Sequence, residues 1–216
     1  VPEEINTMEF STLTCDRGSQ ALEEWQKAGI SHAITINISG YANMVCNVEL
    51  TPKRKGEPRK IRMPVWDNKI FCAASHLNIV NRLYWLNPHD CGHSGFQHMG
   101  SYVNSLDTKV KGDYIVWKNA NIKGMPMPST WDDVFLPESM PLLVNIDFTG
   151  FVKPSYTYGS EHRDTDYWPK VKLCAEFIEH LGKSKSPTLI TIVRKSIDSA
   201  YVLQIQDALG AALNGI

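Results

Sequence analysis

The chain contains no apolar run approaching the roughly 18 to 20 residues that a bilayer-spanning helix needs, so an integral membrane helix is not expected. It also has almost no net charge, with 22 lysines and arginines against 23 aspartates and glutamates. The molecule as a whole therefore does not advertise binding to nucleic acid or to a membrane, and any electrostatic function has to be local. Cysteine is sparse: Cys15, Cys46, Cys72, Cys91 and Cys174 are odd in number and widely scattered. A secreted disulfide scaffold spaces its cysteines densely, so free thiols in a reducing compartment are the expectation. A glycine-rich phosphate loop, a nucleophile elbow and a His-Glu-x-x-His zinc motif are absent, and so are fixed-period repeats and low-complexity tracts. Each absence removes a ready-made function and leaves the argument to local features.

The 216 residues suffice to bury a sizeable core and fall within the range of one domain. With 43% hydrophobic and 21% charged residues the composition is that of a folding chain. A single domain over residues 1–216 is expected. Val1 at the start fits removal of an initiator methionine or cleavage of a precursor.

Periodicity gives the elements. Ser19 to Ala28 reads as a helix capped by Ser19 and stopped by Gly29. Ile34, Ile36 and Ile38 alternate with Thr35, Asn37 and Ser39, which predicts a strand with one apolar face. Cys46, Val48 and Leu50 continue the alternation, as do Ile61, Met63 and Val65, so three antiparallel strands are expected. Ser75 to Leu86 reads as a short helix ended by Asn87-Pro88, Pro88 to Gly112 as loop, and Asp113 to Lys118 and Leu142 to Phe148 as strands. Trp168, Val171, Cys174, Ile178 and Leu181 keep helical spacing up to Gly182. Leu189 to Arg194 is a short β-branched run. A last helix, capped by Ser196, carries the stripe Ile197, Tyr201, Ile205, Ala208 and Ala212. The expected fold class is α+β, with an antiparallel sheet from the N-terminal hairpins and helices concentrated in the C-terminal third.

Two stretches carry candidate chemistry. His76, His89, His93 and His98 crowd four of the seven histidines together, with Cys91 inside His89-Asp90-Cys91-Gly92-His93. Imidazole and thiolate ligate zinc, yet no second arm completes a tetrahedral set, and solvated loop histidines are the simpler reading of the cluster. The segment Asp90 to Phe96 also resembles the nucleophile turn of viral chymotrypsin-like cysteine proteases, with His89 where those enzymes carry glycine. A cysteine hydrolase or a zinc protein centred there is thus the alternative function; no catalytic residue, metal ligand or cofactor is assigned.

The other stretch is a basic hairpin connection, in which Lys53, Arg54, Lys55, Arg59, Lys60 and Arg62 face one acid, Glu57. Clustered cations bind phosphates without reading sequence, although charges on a hairpin tip also block unwanted strand pairing. These six are the candidate RNA-binding residues.

Sheet first and helices last resembles the coat proteins of single-stranded RNA phages. The resemblance is carried by the hairpins from Ile34 to Val65, the strand Leu142 to Phe148 and the helices beginning near Trp168 and Ile197. It implies a capsid subunit that self-assembles through homodimers into a symmetric shell, holds RNA, touches no membrane, and is found in the virion after assembly in the host cytoplasm.

Overall fold

The computed structural model describes residues 11–88, 100–118, 125–126, 134–151, 167–194 and 199–213. Its frame is a seven-stranded sheet in the order β1-β10-β9-β2-β4-β5-β8, from β1 (Ser11–Cys15), β2 (Ala33–Ile38), β4 (Val80–Leu86), β5 (Gly100–Val103), β8 (Met125–Pro126), β9 (Leu142–Asp147) and β10 (Leu189–Val193). The first five in that order run parallel, and β5 and β8 add an antiparallel edge. A second, three-stranded antiparallel sheet joins β3 (Val48–Glu49), β7 (Tyr114–Trp117) and β6 (Thr108–Lys111).

Helices cover both faces of the larger sheet. On one, α3 (Tyr167–Ser184) and α4 (Ser199–Leu213) bring Val171, Phe177, Ile178, Ile205 and Leu209 against Ile34, Ile36, Ile38, Val144 and Ile190. On the other, α1 (Gly18–Lys27) and α2 (Ile70–His76) pack Leu22, Trp25 and Phe71 against Ala33, Leu83, Leu143 and Leu189. The fold is mixed α and β as expected, but the expected antiparallel N-terminal sheet is replaced by a mostly parallel one, and helices occur throughout the chain. Parallel strands are buried on both faces and so read as near-continuous apolar runs, as in Leu142-Leu143-Val144 and Leu189-Ile190-Thr191-Ile192-Val193.

Several elements move for stated physical reasons. The Ser75 to Leu86 helix is instead the end of α2 followed by β4. Asn78, with φ of 58°, turns the chain out of the helix, and after Ile79 the β-branched Val80 begins the strand. Val80, Leu83 and Tyr84 fall at helical spacing only because β4 buries side chains on both faces. Helix α1 begins at Gly18 with Arg17 as its cap residue rather than Ser19, and beyond its last residue, Lys27, the chain turns away at Gly29, whose φ is 66°. Part of the expected Pro88 to Gly112 loop forms β5 and β6, while Ile61 keeps only an isolated bridge to Leu50.

The thiol expectation also changes. Cys46 and Cys72 form a disulfide, with Cα atoms 5.3 Å apart. Cys15 and Cys174 are free and buried, and Cys91 lies outside the described residues.

Candidate functional site

Strands β2 and β9 are neighbours at the centre of the sheet, yet the chain leaves them in opposite directions, from β2 toward β4 and from β9 toward β10. Such a reversal opens a crevice outside the carboxyl ends of the strands, where open α/β sheets take ligands. Here those ends carry polar groups. Asp147 closes β9 and accepts hydrogen bonds from the Thr149 amide at 3.0 Å and hydroxyl at 2.8 Å. Buried Asn43, in the left-handed region at φ 54°, reaches from the segment after β2 to Ser39 Oγ at 3.4 Å and Asp147 Oδ2 at 3.5 Å. The two strand ends approach closely at Gly150, where a Cβ would lie 3.3 Å from Ser39 Cα.

Behind these ends a buried polar ladder crosses three strands on the α1 and α2 face. Trp25 Nε1 donates to Thr191 Oγ1 at 3.3 Å, Thr191 Oγ1 to Asn145 Oδ1 at 2.8 Å, and Asn145 Nδ2 to Asn37 Oδ1 at 2.9 Å. Asn37 Nδ2 then donates to the Tyr41 carbonyl at 3.4 Å. The ladder ties the core to the segment that leaves β2.

That segment forms one wall of a cleft of about 1480 Å³. Tyr41 to Val45 line it on one side. Arg17 and Ser19, just beyond β1, line it on a second, and Val48, Glu49 and Arg62 to Lys69 complete it. The start of α1 meets this wall where the Gly18 amide donates to Asp67 Oδ1 at 2.8 Å. Glycine suits the approach, since an added Cβ would stand 2.9 Å from that oxygen and 3.0 Å from Ile70 Cγ2, so that the Asp67 carboxylate would have to shift.

The cleft is unusual in what it leaves in water. Tyr41 (44% exposed), Val45 (52%), Met63 (40%) and Trp66 (76%) all line it, and they are half of the eight large hydrophobic side chains exposed among the described residues. Arg17, Arg62 and Lys69 stand among them. Arg62 Nη1 lies 3.0 Å from Glu49 Oε2, and Lys69 Nζ donates to the Asn47 carbonyl at 2.8 Å. The disulfide anchors the wall from behind, joining Cys46 to Cys72 in α2.

The six basic candidates divide. Lys53, Arg54, Lys55 and Lys60 are exposed on a connection closed by the Leu50–Ile61 bridge and by the Thr51 amide donating to the Lys60 carbonyl at 2.8 Å. Arg59 is tied down, donating to Thr51 O, Gly112 O and Asp113 Oδ1 at 3.1, 2.8 and 2.7 Å. It braces the hairpin against the turn between β6 and β7. Arg62 belongs to the cleft itself. Periodicity passed over Tyr41, Trp66 and Arg17. A tryptophan set among proline, aspartate and asparagine in Pro64-Val65-Trp66-Asp67-Asn68 was a signal that could have found one of them.

Of the histidine cluster, His76 ends α2, with Nδ1 3.2 Å from Thr108 Oγ1, and burial lowers its pKa. His89, Cys91, His93 and His98 lie outside the described residues. Among the described residues no group of three or more His, Cys, Asp or Glu side chains could hold a metal ion, and no helix is long and apolar enough to cross a membrane. Burial, with Glu24 and Asp16 adding to it, pushes the Cys15 thiol up to about 11, which disfavours the thiolate near neutral pH. Comparisons of the chain with protein-family models, with curated proteins and with solved structures found no match.

Proposed function

We propose that the chain is a nucleotide-binding α/β domain whose site is the cleft beside the carboxyl ends of β1 and β2. The observation that carries the reading is Trp66, 76% exposed in a concave site that also holds Tyr41 and the cations Arg17, Arg62 and Lys69. Leaving a tryptophan in water costs hydrophobic free energy, and a planar ligand recovers it by stacking. Phosphate groups match the cations Arg17, Arg62 and Lys69. The sheet's position supports the same reading, because ligands gather where the strand connections reverse.

A coat subunit fits this molecule less well. That expectation needed an antiparallel sheet with one face left for a partner, whereas α1 and α2 cover the face opposite α3 and α4.

Titration with adenosine monophosphate, followed by tryptophan fluorescence and by calorimetry, tests the proposal. Saturable binding is expected, weakened about tenfold by Trp66→Ala, the scale of one stacking contact. A protein that shows no saturable heat or quench with the mononucleotide, or binds it equally well without Trp66, would refute the assignment.

A further inference from the structure

We infer that the natural occupant of the cleft is a single-stranded nucleic acid, with bases against the exposed aromatic wall and its phosphate backbone running out along the basic hairpin. This rests on the nucleotide reading and names the polymer as the substrate class. Three observations carry it. The cleft, at about 1480 Å³, exceeds the roughly 300 to 1,000 Å³ of pockets that enclose one small molecule. It therefore has room for more than a mononucleotide.

The hairpin and the cleft are also one structure. Glu49 and Arg62, which line the cleft, are joined by the Arg62 amide donating to the Glu49 carbonyl at 2.8 Å, and the next pair outward, Leu50 and Ile61, forms the bridge from which the basic connection extends. A strand leaving the cleft past Arg62 meets Lys60, Lys53, Arg54 and Lys55 on the same projection.

Those four side chains are exposed, and none of them forms an ion pair among the described residues. Of the nearby acids, Glu49 pairs with Arg62 and Asp113 with Arg59, which leaves Glu57 as the one acid on the projection against four cations. The projection thus keeps a positive surface that matches phosphate, although the whole chain is near neutral. An exposed aromatic wall selects single strands, because a duplex hides its base faces.

The test is fluorescence anisotropy with a labelled 12-nucleotide oligouridylate and with a duplex of equal length, each titrated against salt. Adenosine monophosphate is titrated in parallel. The variants are K53S/R54S/K55S, Trp66→Ala, and the control K27S/K172S/K183S, which removes the same charge from α1 and α3. All are exposed positions, so circular dichroism should report unchanged folds. The single strand should bind more tightly than the mononucleotide and the duplex. The hairpin variant should lower the magnitude of the log K against log salt slope by about 2. Trp66→Ala should weaken binding about tenfold and leave the slope alone. Equal loss in the control variant, equal binding of duplex, or wild-type binding by both test variants would overturn the inference. Mononucleotide binding with no gain from the oligomer would overturn it while sparing the nucleotide reading, and absence of both would overturn both.

Discussion

The centre of the large sheet and the small sheet beside the cleft are built on opposite rules. Every residue of β2, β9 and β10 is buried, whereas three of the four residues of β6 are exposed, and the segment from Pro52 to Pro58 is exposed throughout. The centre carries Ile, Val and Leu with a few polar groups, of which Asn37, Asn145 and Thr191 satisfy one another while Thr35 Oγ1 is buried without a partner. The periphery carries the cations and the uncovered aromatics. A rigid scaffold holding an irregular, chemically loaded surface is the usual division of labour between regular elements and loops, and here two links across α2 couple the halves. Cys72 holds the cleft wall through Cys46, and His76 meets Thr108 of β6.

Breaking the first link should have the largest effect. The disulfide closes a loop with a sequence separation of 26 residues, for which the chain-entropy account gives about 3.5 kcal/mol. Cys46→Ser with Cys72→Ser should lower the urea midpoint by a corresponding amount, and dithiothreitol should do the same to the wild type and nothing to the variant. A midpoint that responds to neither would mean that the wall is held by packing alone.

A smaller loss is expected inside the scaffold. Asn145→Ala removes the middle of the ladder and leaves Asn37 Oδ1 and Thr191 Oγ1 buried without it, a cost of about 2 kcal/mol. Thermal unfolding measures it. If the ladder also positions the cleft wall through the Tyr41 carbonyl, mononucleotide affinity should fall in the same variant at temperatures where it remains folded. Unchanged affinity would confine the ladder to stability.

The same ladder shows why the fold was half legible. The alternation of Ile34, Ile36 and Ile38 with Thr35 and Asn37 is real, and it correctly locates β2. It misleads about the second face, because a polar residue in a strand reads as solvent-facing unless its partner is known, and the partners of Asn37 lie 108 residues away at Asn145 and beyond it at Thr191. Parallel pairing is likewise set by connections that local pattern does not contain. The helix α3 and the strands β7, β9 and β10 were readable because their own spacing specifies them. At the site, the density of charge from Lys53 to Arg62 was visible, but Arg59's bracing role and the meeting of Trp66, Tyr41 and Arg17 depend on tertiary approach.

The second link should give the smallest effect, and its sign is fixed by the pKa shift. Burial lowers the pKa of His76 below the ordinary value of 6.5, so the unfolded chain takes up this proton at a higher pH than the folded one does. Between those two values the unfolded state binds more protons, and stability falls as pH drops through that window. Above about pH 6.5 the contribution is fully present. His76 is only partly buried, so the loss is a small fraction of the total. His76→Gln keeps a polar side chain near Thr108 and removes the titration. Asp107, held below its usual value chiefly by the hydrogen bond from Lys118, contributes acid sensitivity to both proteins at lower pH and cancels in the comparison. Urea midpoints at about pH 7.5 and pH 5.5 should therefore differ more for the wild type than for the variant. Equal differences would show that α2 and β6 are joined by packing and that the contact of His76 with Thr108 adds nothing to stability.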